Sequence, residues 1–470
     1  MERLEKRKPK GSSSFPKFIN PQLYFFREGR RMFVYSPFSN ECTVLSNEEY
    51  NFLMENPELK GKPSDKKFVD LIMSFLYVDS NWFRRSSSEE SRLGDVATLS
   101  LITTTLCNLR CRYCFIFGGE KNKIIQERKL GQIPSIIDAK AAIYAIEELK
   151  PKTVLLFGWG EPTMAFKIIR LICNSIDTKN IKINLITNAV YLNRRRQIVK
   201  YLVEKGVNMQ ISFDGTKDLN DLNRVMPLGT GSSGEILKTI AEIKKYGPLH
   251  EHASVRVTIC KGMEDSIINS TKYLSDLGFR KIGFEPVEIS GRAVGSDVKV
   301  DMKKFAINVV KAVVWGKTHD VEVISRVLPA ANGRVMARFG CGFVAGRSIS
   351  LTPDNYLYLC DDPLDQLRVG KVIESDGKYS LDLNYSRLQA TVAQRDIARF
   401  PECDSCPVKC GGGCAKESLN HYKNMGHGGE SIEFCDARRL GLLEYIKSSL
   451  TEDSLLSVKV PKASDDACLI

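Results

Sequence analysis

An α/β fold of repeated parallel βα units, flanked by a small α+β unit and a cysteine-rich segment, is what this sequence predicts. Three observations carry the prediction. From about residue 96 to 316, short β-branched or aromatic runs alternate with helical periods, the signature of parallel βα units. Ten of the fourteen cysteines fall into two compact groups and four are scattered, which marks metal binding in a chain whose thiols should stay reduced. At 470 residues, 43% hydrophobic and 26% charged, the chain is too long for one ordinary core, so two or three domains are expected.

Residues 1–95 form the first unit, opened by the loop-forming Lys10-Gly11-Ser12-Ser13-Ser14 and closed by Ser86-Ser87-Ser88-Glu89-Glu90. Within it, Gln22–Phe26 and Arg31–Tyr35 read as a hairpin around Gly29, and 47–55 and 66–77 as helices. The first helix has Ser46 as N-cap with Glu49 three residues on, a capping-box pattern. So small a unit either holds a partner or substrate, or simply packs.

Residues 96–316 supply six strands, near 98–104, 154–157, 183–187, 209–213, 255–259 and 281–286. Amphipathic segments separate them, as at 138–150, where Ala139, Ala142, Ile143, Ile146 and Leu149 share one helical face. Six units are fewer than the eight of a closed barrel, so pattern alone allows a doubly wound open sheet or a partial barrel. Either fold places ligands at the C-terminal ends of the strands. Residues 336–440 show few long helical periods and seven cysteines among many glycines, a segment expected to be held by metal. A helix and tail close the chain over 441–470, the polar residues from Thr451 onward being expected to be mobile.

Lysine and arginine exceed aspartate and glutamate by 68 − 56 = 12. The basic residues are spread along the chain, which describes a solvated surface better than a nucleic-acid footprint. No window approaches eighteen uninterrupted apolar residues, and the Met1–Lys8 segment lacks the apolar stretch of a signal peptide. The expectation is a cytoplasmic protein with neither a nucleic-acid nor a membrane partner.

Directly after the first strand stands Cys107-Asn108-Leu109-Arg110-Cys111-Arg112-Tyr113-Cys114. Three thiolates this close can each hold one iron of a cubane cluster and leave the fourth iron open. A structural zinc site would want a fourth cysteine or histidine nearby, and the sequence offers none. The spacing, with the aromatic Tyr113 before the last cysteine, resembles the radical S-adenosylmethionine (SAM) enzymes. That resemblance implies SAM chelated to the open iron and cleaved to a 5′-deoxyadenosyl radical, the cofactor carrying the difficult chemistry. It also implies a partial (β/α)6 TIM-type barrel over residues 98 to about 290.

Later strand ends extend the resemblance. Phe157-Gly158-Trp159-Gly160-Glu161-Pro162 stands where the family has Gly-Gly-Glu-Pro, with Trp159 replacing the first glycine; Gly160 and Glu161 are implied contacts of the SAM amino group. Thr187-Asn188-Ala189 follows the third strand where Thr-Asn-Gly is common, and Asn188 is an implied contact. The fourth strand ends in Ser212-Phe213-Asp214-Gly215, with Arg224 twelve residues after Ser212. In the peptide-modifying branch such a serine touches the SAM ribose and such an arginine its carboxylate, a pairing suited to a guanidinium fork.

Downstream lie Cys341, Cys360, Cys403, Cys406, Cys410, Cys414 and Cys435, too many for one cubane and one short of two. Their order resembles the SPASM extension of radical SAM enzymes, which binds two auxiliary [4Fe-4S] clusters. The resemblance implies three [4Fe-4S] clusters in all, with Cys341, Cys360 and Cys414 on the first auxiliary cluster and Cys403, Cys406, Cys410 and Cys435 on the second. Asn355 stands where the family has glycine, and asparagine tolerates the same left-handed turn. The spacer between Cys406 and Cys410 is three residues instead of five. The fourth iron of the first cluster could take a substrate thiolate, Cys468, Cys260, His421, His427 or water. Asp361, directly after Cys360, is the implied base of sulfatase-maturing relatives.

The function expected is therefore a radical SAM/SPASM maturase that installs a cross-link in a ribosomally made precursor peptide, reduced by a flavodoxin- or ferredoxin-type partner. The competing expectations are oxidation of serine or cysteine to formylglycine, and a non-enzymatic electron-transfer protein.

Overall fold

The computed structural model describes residues 24–28, 31–36, 41–55, 96–116, 133–178, 180–328, 341–343, 345–396, 399–404, 406–408, 410–422 and 431–449, with strand residues 5–6 and 458–459. In chain order the strands are β1 (Glu5–Lys6), β2 (Tyr24–Glu28), β3 (Arg31–Ser36), β4 (Glu41–Leu45), β5 (Thr98–Ile102), β6 (Thr153–Phe157), β7 (Lys182–Thr187) and β8 (Asn208–Ser212). They continue as β9 (Ala253–Ile259), β10 (Lys281–Pro286), β11 (Glu322–Ile324), β12 (Ser348–Leu351), β13 (Tyr356–Tyr358), β14 (Arg368–Ser375), β15 (Lys378–Leu383) and β16 (Val458–Lys459).

The six strands expected from the alternating pattern are β5 to β10, each parallel to the next. Helices Ala139–Leu149, Phe166–Ser175, Arg196–Glu204, Ser233–Ile243 and Ile267–Asp276 fall between them, and Met302–Lys317 follows β10. Leu99, Leu101, Val154, Leu156, Leu185, Met209, Ile211, Val255, Val257, Ile282 and Phe284 are buried in one core with helical Ala141, Ala142, Ala145, Ile169 and Ile172. Strand side chains alternate in direction, so Ser100, Asn184, Gln210, Ser212, Arg256, Thr258 and Glu285 face the other way, into the barrel. The result is a partial barrel with an apolar wall and a polar interior. Asp138 and Asp301 begin two of the helices by accepting bonds from the N–H groups of Lys140, and of Lys303 and Lys304, ordinary N-caps.

The sheet is longer than six strands. It runs β11-β10-β9-β8-β7-β6-β5-β12-β13-β14-β15. Three-residue β11 adds a seventh parallel strand beyond β10. On the other edge β12 lies parallel to β5, and β13, β14 and β15 follow antiparallel. The cysteine-rich segment is thus built onto the first barrel strand.

A second sheet has the order β1-β2-β3-β4-β16. β2 and β3 pair as the expected hairpin, its turn residues lying outside the described residues. Ser46 and Glu49 form the expected capping box: the Glu49 N–H donates to Ser46 Oγ at 3.2 Å and the Ser46 N–H to Glu49 Oε2 at 2.6 Å. The helix expected at 66–77 lies outside the described residues. The polar tail departs from its expectation at β16, where Val458 and Lys459 pair with Cys42 and Glu41, because an edge strand accepts any backbone that completes its ladder. Tyr24, Phe33, Tyr35 and Cys42 of this sheet share a core with Val408, Leu442 and Ile446, against which Cys406 and Cys410 pack. Among the described residues no helix is long and apolar enough to cross a membrane.

Candidate functional site

The loop after β5 carries Cys107, Cys111 and Cys114 to the C-terminal mouth of the barrel, and backbone bonds from four other segments fix it. The N–H groups of Gly160 and Glu161 donate to the carbonyls of Thr104 and Leu106 at 3.0 and 2.7 Å. Those of Arg110 and Arg112 donate to Val225 and Asn223 at 2.8 and 2.9 Å, and that of Arg292 to Cys114 at 2.9 Å. Thr104 Oγ1 donates to the Ser135 carbonyl at 2.7 Å. Gly160 is required here, since a Cβ would stand 1.9 Å from the Leu106 carbonyl oxygen.

Glu161 is buried behind this loop. Its Oε1 accepts from the Thr163 N–H, Thr163 Oγ1 and Thr187 Oγ1 at 3.1, 2.5 and 2.6 Å; Oε2 accepts only the Asn188 N–H, at 2.7 Å. Burial pushes the carboxyl up, and these four donors oppose the rise. Oε2 therefore keeps acceptor capacity for a cation at the mouth. Asn188 Nδ2 donates to Asn108 Oδ1 at 2.9 Å, tying the third strand end to the cysteine loop. Ala189 adopts φ +62°, the left-handed turn that glycine would take freely.

Asp214 organises the next two strand ends. Its carboxylate accepts from the Tyr113 hydroxyl and the Thr258 N–H and pairs with Arg224 Nε at 3.0 Å. The Arg224 guanidinium lies 5.4 Å from the Tyr113 ring centre. Ser212 is half-buried at the end of β8. Glu161, Asn188 and Ser212 thus stand at or just after the ends of adjoining strands, Tyr113 lies in the cysteine loop, and Arg224 follows the helix Lys217–Asn223; the charges of Glu161 and Arg224 reach Cys107 and Cys111, respectively.

All thirteen described cysteines are outside disulfides. Burial pushes the Cys107 and Cys111 thiols up to about 11 and about 12, and neighbouring cysteines of the loop add to both rises. For these two, burial outweighs the opposing influence of Arg224 and Arg110 and keeps the thiol protonated, and a bound metal reverses that by taking the thiolate. Among the described residues no three His, Cys, Asp or Glu side chains close on a single ion. A three-thiol loop backed by an acid and an arginine fits an iron–sulfur cube with one open corner.

The second cysteine group separates into two neighbourhoods. Cys360 is influenced first among charges by Cys414, then by Asp362 and Lys416. Cys403 is influenced by Cys410, Cys406 and Cys435. Around the latter set, Arg438 Nη1 donates to Cys410 Sγ at 3.5 Å and Arg439 donates to Cys406. Cys341 opens the turn that enters β12, and Asn355 turns β12 into β13 at φ +62°, as the sequence suggests. Cys260 is buried on the barrel side near Asp214 and Arg224. The side chains of His421, His427 and Cys468 lie outside the described residues.

Two contacts join the groups. Trp159, the residue in place of glycine, packs on Ile102, Ile116 and Ile133 and donates Nε1 to the Asp361 carbonyl at 2.9 Å. The Asp361 carboxylate accepts from Ser350 Oγ at 2.6 Å, and burial pushes its carboxyl up. Lys416, which sequence reading missed, is buried between Glu288, Asp362 at 2.7 Å and the Phe115 ring at 5.0 Å. Its partners come from three distant segments, and no spacing signal marks it.

The mouth of this partial barrel gathers three thiols, a buried acid and an arginine, a donor set that fits an iron–sulfur cube and a ligand carrying ammonium and carboxylate. Residues 101–271 match the Radical SAM superfamily. Over 375 residues the chain is 23% identical to a "Cysteine-type anaerobic sulfatase-maturating enzyme" of Clostridium novyi (strain NT), covering 73% of this chain and 95% of the relative. The solved structure "Native anSMEcpe with bound AdoMet" superposes with a TM-score of 0.57 at 17% identity, covering 74% of this chain and 97% of that one. Streptococcus suis SuiB bound to precursor peptide SuiA gives 0.55 at 14% identity, covering 88% and 99%. Residues 101–271 thus carry the radical SAM domain match, and the cysteine-rich continuation is consistent with a SPASM-type extension.

Proposed function

We propose that this chain is a radical SAM/SPASM maturase that installs a cross-link in a ribosomally made peptide. When bound, SAM and the reduced cluster supply a 5′-deoxyadenosyl radical for hydrogen-atom abstraction. In this reading Cys107, Cys111 and Cys114 hold that cluster, and Glu161 Oε2 takes the SAM ammonium. Gly160 lets the second strand-end loop approach the cysteine loop, and Asn188 and Ser212 contact the cofactor. Arg224 offers its remaining donors to the carboxylate, while Tyr113 and Asp214 orient it.

The observation that carries the proposal is the joining of this mouth to the second cysteine group through Trp159, Asp361 and Lys416. Cys341, Cys360 and Cys414 would hold one auxiliary cluster beside the barrel; Cys403, Cys406, Cys410 and Cys435 would hold the other against the N-terminal sheet. Clusters held there would offer the electron of a substrate radical a way out, and a flavodoxin- or ferredoxin-type protein would supply electrons for SAM cleavage. The likeness to SuiB bound to a precursor peptide supports a peptide partner, with residues 1–95 as its leader-binding unit. A cytoplasmic location accords with reduced thiols.

A second reading is favoured by the sulfatase-maturating relative and by Asp361, whose raised carboxyl beside Cys360 suits a base: oxidation of serine or cysteine to formylglycine. Anaerobic incubation with SAM and reductant tests the shared step, because an electron carrier with intact clusters makes no 5′-deoxyadenosine. Mass spectrometry of a candidate peptide then separates the outcomes. Loss of two hydrogens with a fragmentation-resistant ring supports the cross-link, and labelling by an aldehyde probe overturns it in favour of formylglycine.

A further inference from the structure

Three guanidinium groups share the barrel interior with two carboxylates. Arg224 pairs with Asp214 at 3.0 Å. Arg326 pairs through Nε with Glu285 Oε2 at 2.8 Å, and its N–H donates to Glu285 Oε1 at 3.0 Å. Arg256 is the remaining cation, and no described side chain hydrogen-bonds or ion-pairs with it. It stands on β9 between Ser212 of β8 and Gly283 of β10 in register. Its neighbours Val255 and Val257 enter the apolar wall, so its own side chain enters the interior. Gly283 presents no side chain beside it, and a Cβ there would find its nearest atom, the Val255 carbonyl oxygen, at 3.8 Å.

A half-buried guanidinium whose nearest carboxylate is already paired with another arginine is costly. Burial, Arg326 and Arg224 all disfavour its charge, and Glu285, already held by Arg326, is the one opposing influence. An anion placed there would gain a two-pronged, charge-assisted contact. Resting on the peptide-maturase reading, we propose that Arg256 binds a carboxylate of the substrate, an aspartate or glutamate side chain or a chain terminus. The contact holds the substrate in the interior next to Ser212, where a residue beside the bound carboxylate is presented for hydrogen abstraction. The SAM carboxylate has the same chemistry, and the test separates the two sources.

The reconstituted holoenzyme is treated anaerobically with phenylglyoxal, which modifies unpaired guanidinium groups, with and without SAM, and mapped by peptide mass spectrometry. Arg256 is expected to label roughly tenfold faster than ion-paired Arg224 and Arg326, in the presence of SAM as in its absence. Glutarate should slow that labelling, and its uncharged diamide should not. Equal labelling of the three arginines, or equal protection by glutarate and diamide, overturns the proposal. Protection by SAM alone also overturns it and assigns Arg256 to the cofactor. The two readings fail separately. Absence of 5′-deoxyadenosine with intact clusters removes the enzyme, whereas deoxyadenosine formation with an unprotected Arg256 removes only the carboxylate contact.

Discussion

The two cysteine regions meet the same problem, holding thiolates together, with opposite surroundings. The loop after β5 has three cysteines, and the side chains about it, Glu161, Asn188 and Asp214, are mostly acceptors or ion pairs. The set around Cys403 has four cysteines, and two arginines of the helix Ile432–Ser449 reach its sulfurs. Donors on sulfur stabilise a fully thiolate-capped cluster of net negative charge. An acid and an arginine around an incomplete set instead suit a ligand carrying ammonium and carboxylate. The difference teaches that cysteine count and surrounding side chains agree, and it accords with the proposed division into chemistry at the barrel mouth and electron storage behind it.

The sharpest break of that comparison is a pair of truncations. Cys111→Ala should abolish 5′-deoxyadenosine formation, because the mouth cluster loses one of three protein ligands. Cys403→Ala should retain part of it and lose peptide product. Chromatography of deoxyadenosine beside mass spectrometry of the peptide reads both, and equal cleavage by the Cys111 variant and the parent would remove the cofactor assignment. Next in size is Gly160→Ala. Its methyl cannot fit against the Leu106 backbone, so the cysteine loop must shift, and a misplacement of about an ångström costs roughly a hundredfold in cleavage rate. The iron content of the second group should not change.

Short β-branched or aromatic runs set between helical periods made β5 to β10 legible, and the Ser46–Glu49 pattern gave its helix start. Asn355 identified a left-handed turn because few other side chains tolerate it. The extension β12 to β15 escaped. Its outer strands are half exposed, so they lack an apolar run, although Asp376-Gly377 between β14 and β15, at φ +51° and +74°, is a two-residue hairpin signal in its own right. β11 is too short to show a period. At the site, motifs along the chain were legible because contiguous residues supply them. Lys416, Arg438, Asp214 as a hub and unpaired Arg256 were not, since each owes its meaning to partners that only folding brings near.

The seam between the regions gives the next effect. Lys416→Met would leave Asp362 and Glu288 facing a neutral side chain in a buried pocket, at a cost of about 3 kcal/mol. A lowered thermal midpoint, with the clusters' absorbance lost along with it, checks this, and an unchanged midpoint shows that the lysine does not bind the two halves.

The smallest effect tests the second group alone. Asn355 holds φ +62°, which glycine adopts without the steric penalty of an L residue, and its buried Oδ1 has no hydrogen-bond partner among the described residues. Against those gains, glycine frees the unfolded chain by about 0.4–1 kcal/mol. Asn355→Gly should therefore change stability by no more than about 1 kcal/mol and leave deoxyadenosine formation unchanged. Measured on the cluster-loaded protein by thermal unfolding, a larger loss would mean that the amide gains a partner when the cluster beside Cys360 is in place. The same loss in the barrel's matching turn, for Ala189→Gly, would carry no such meaning, because there the buried methyl itself contributes about 0.8 kcal/mol.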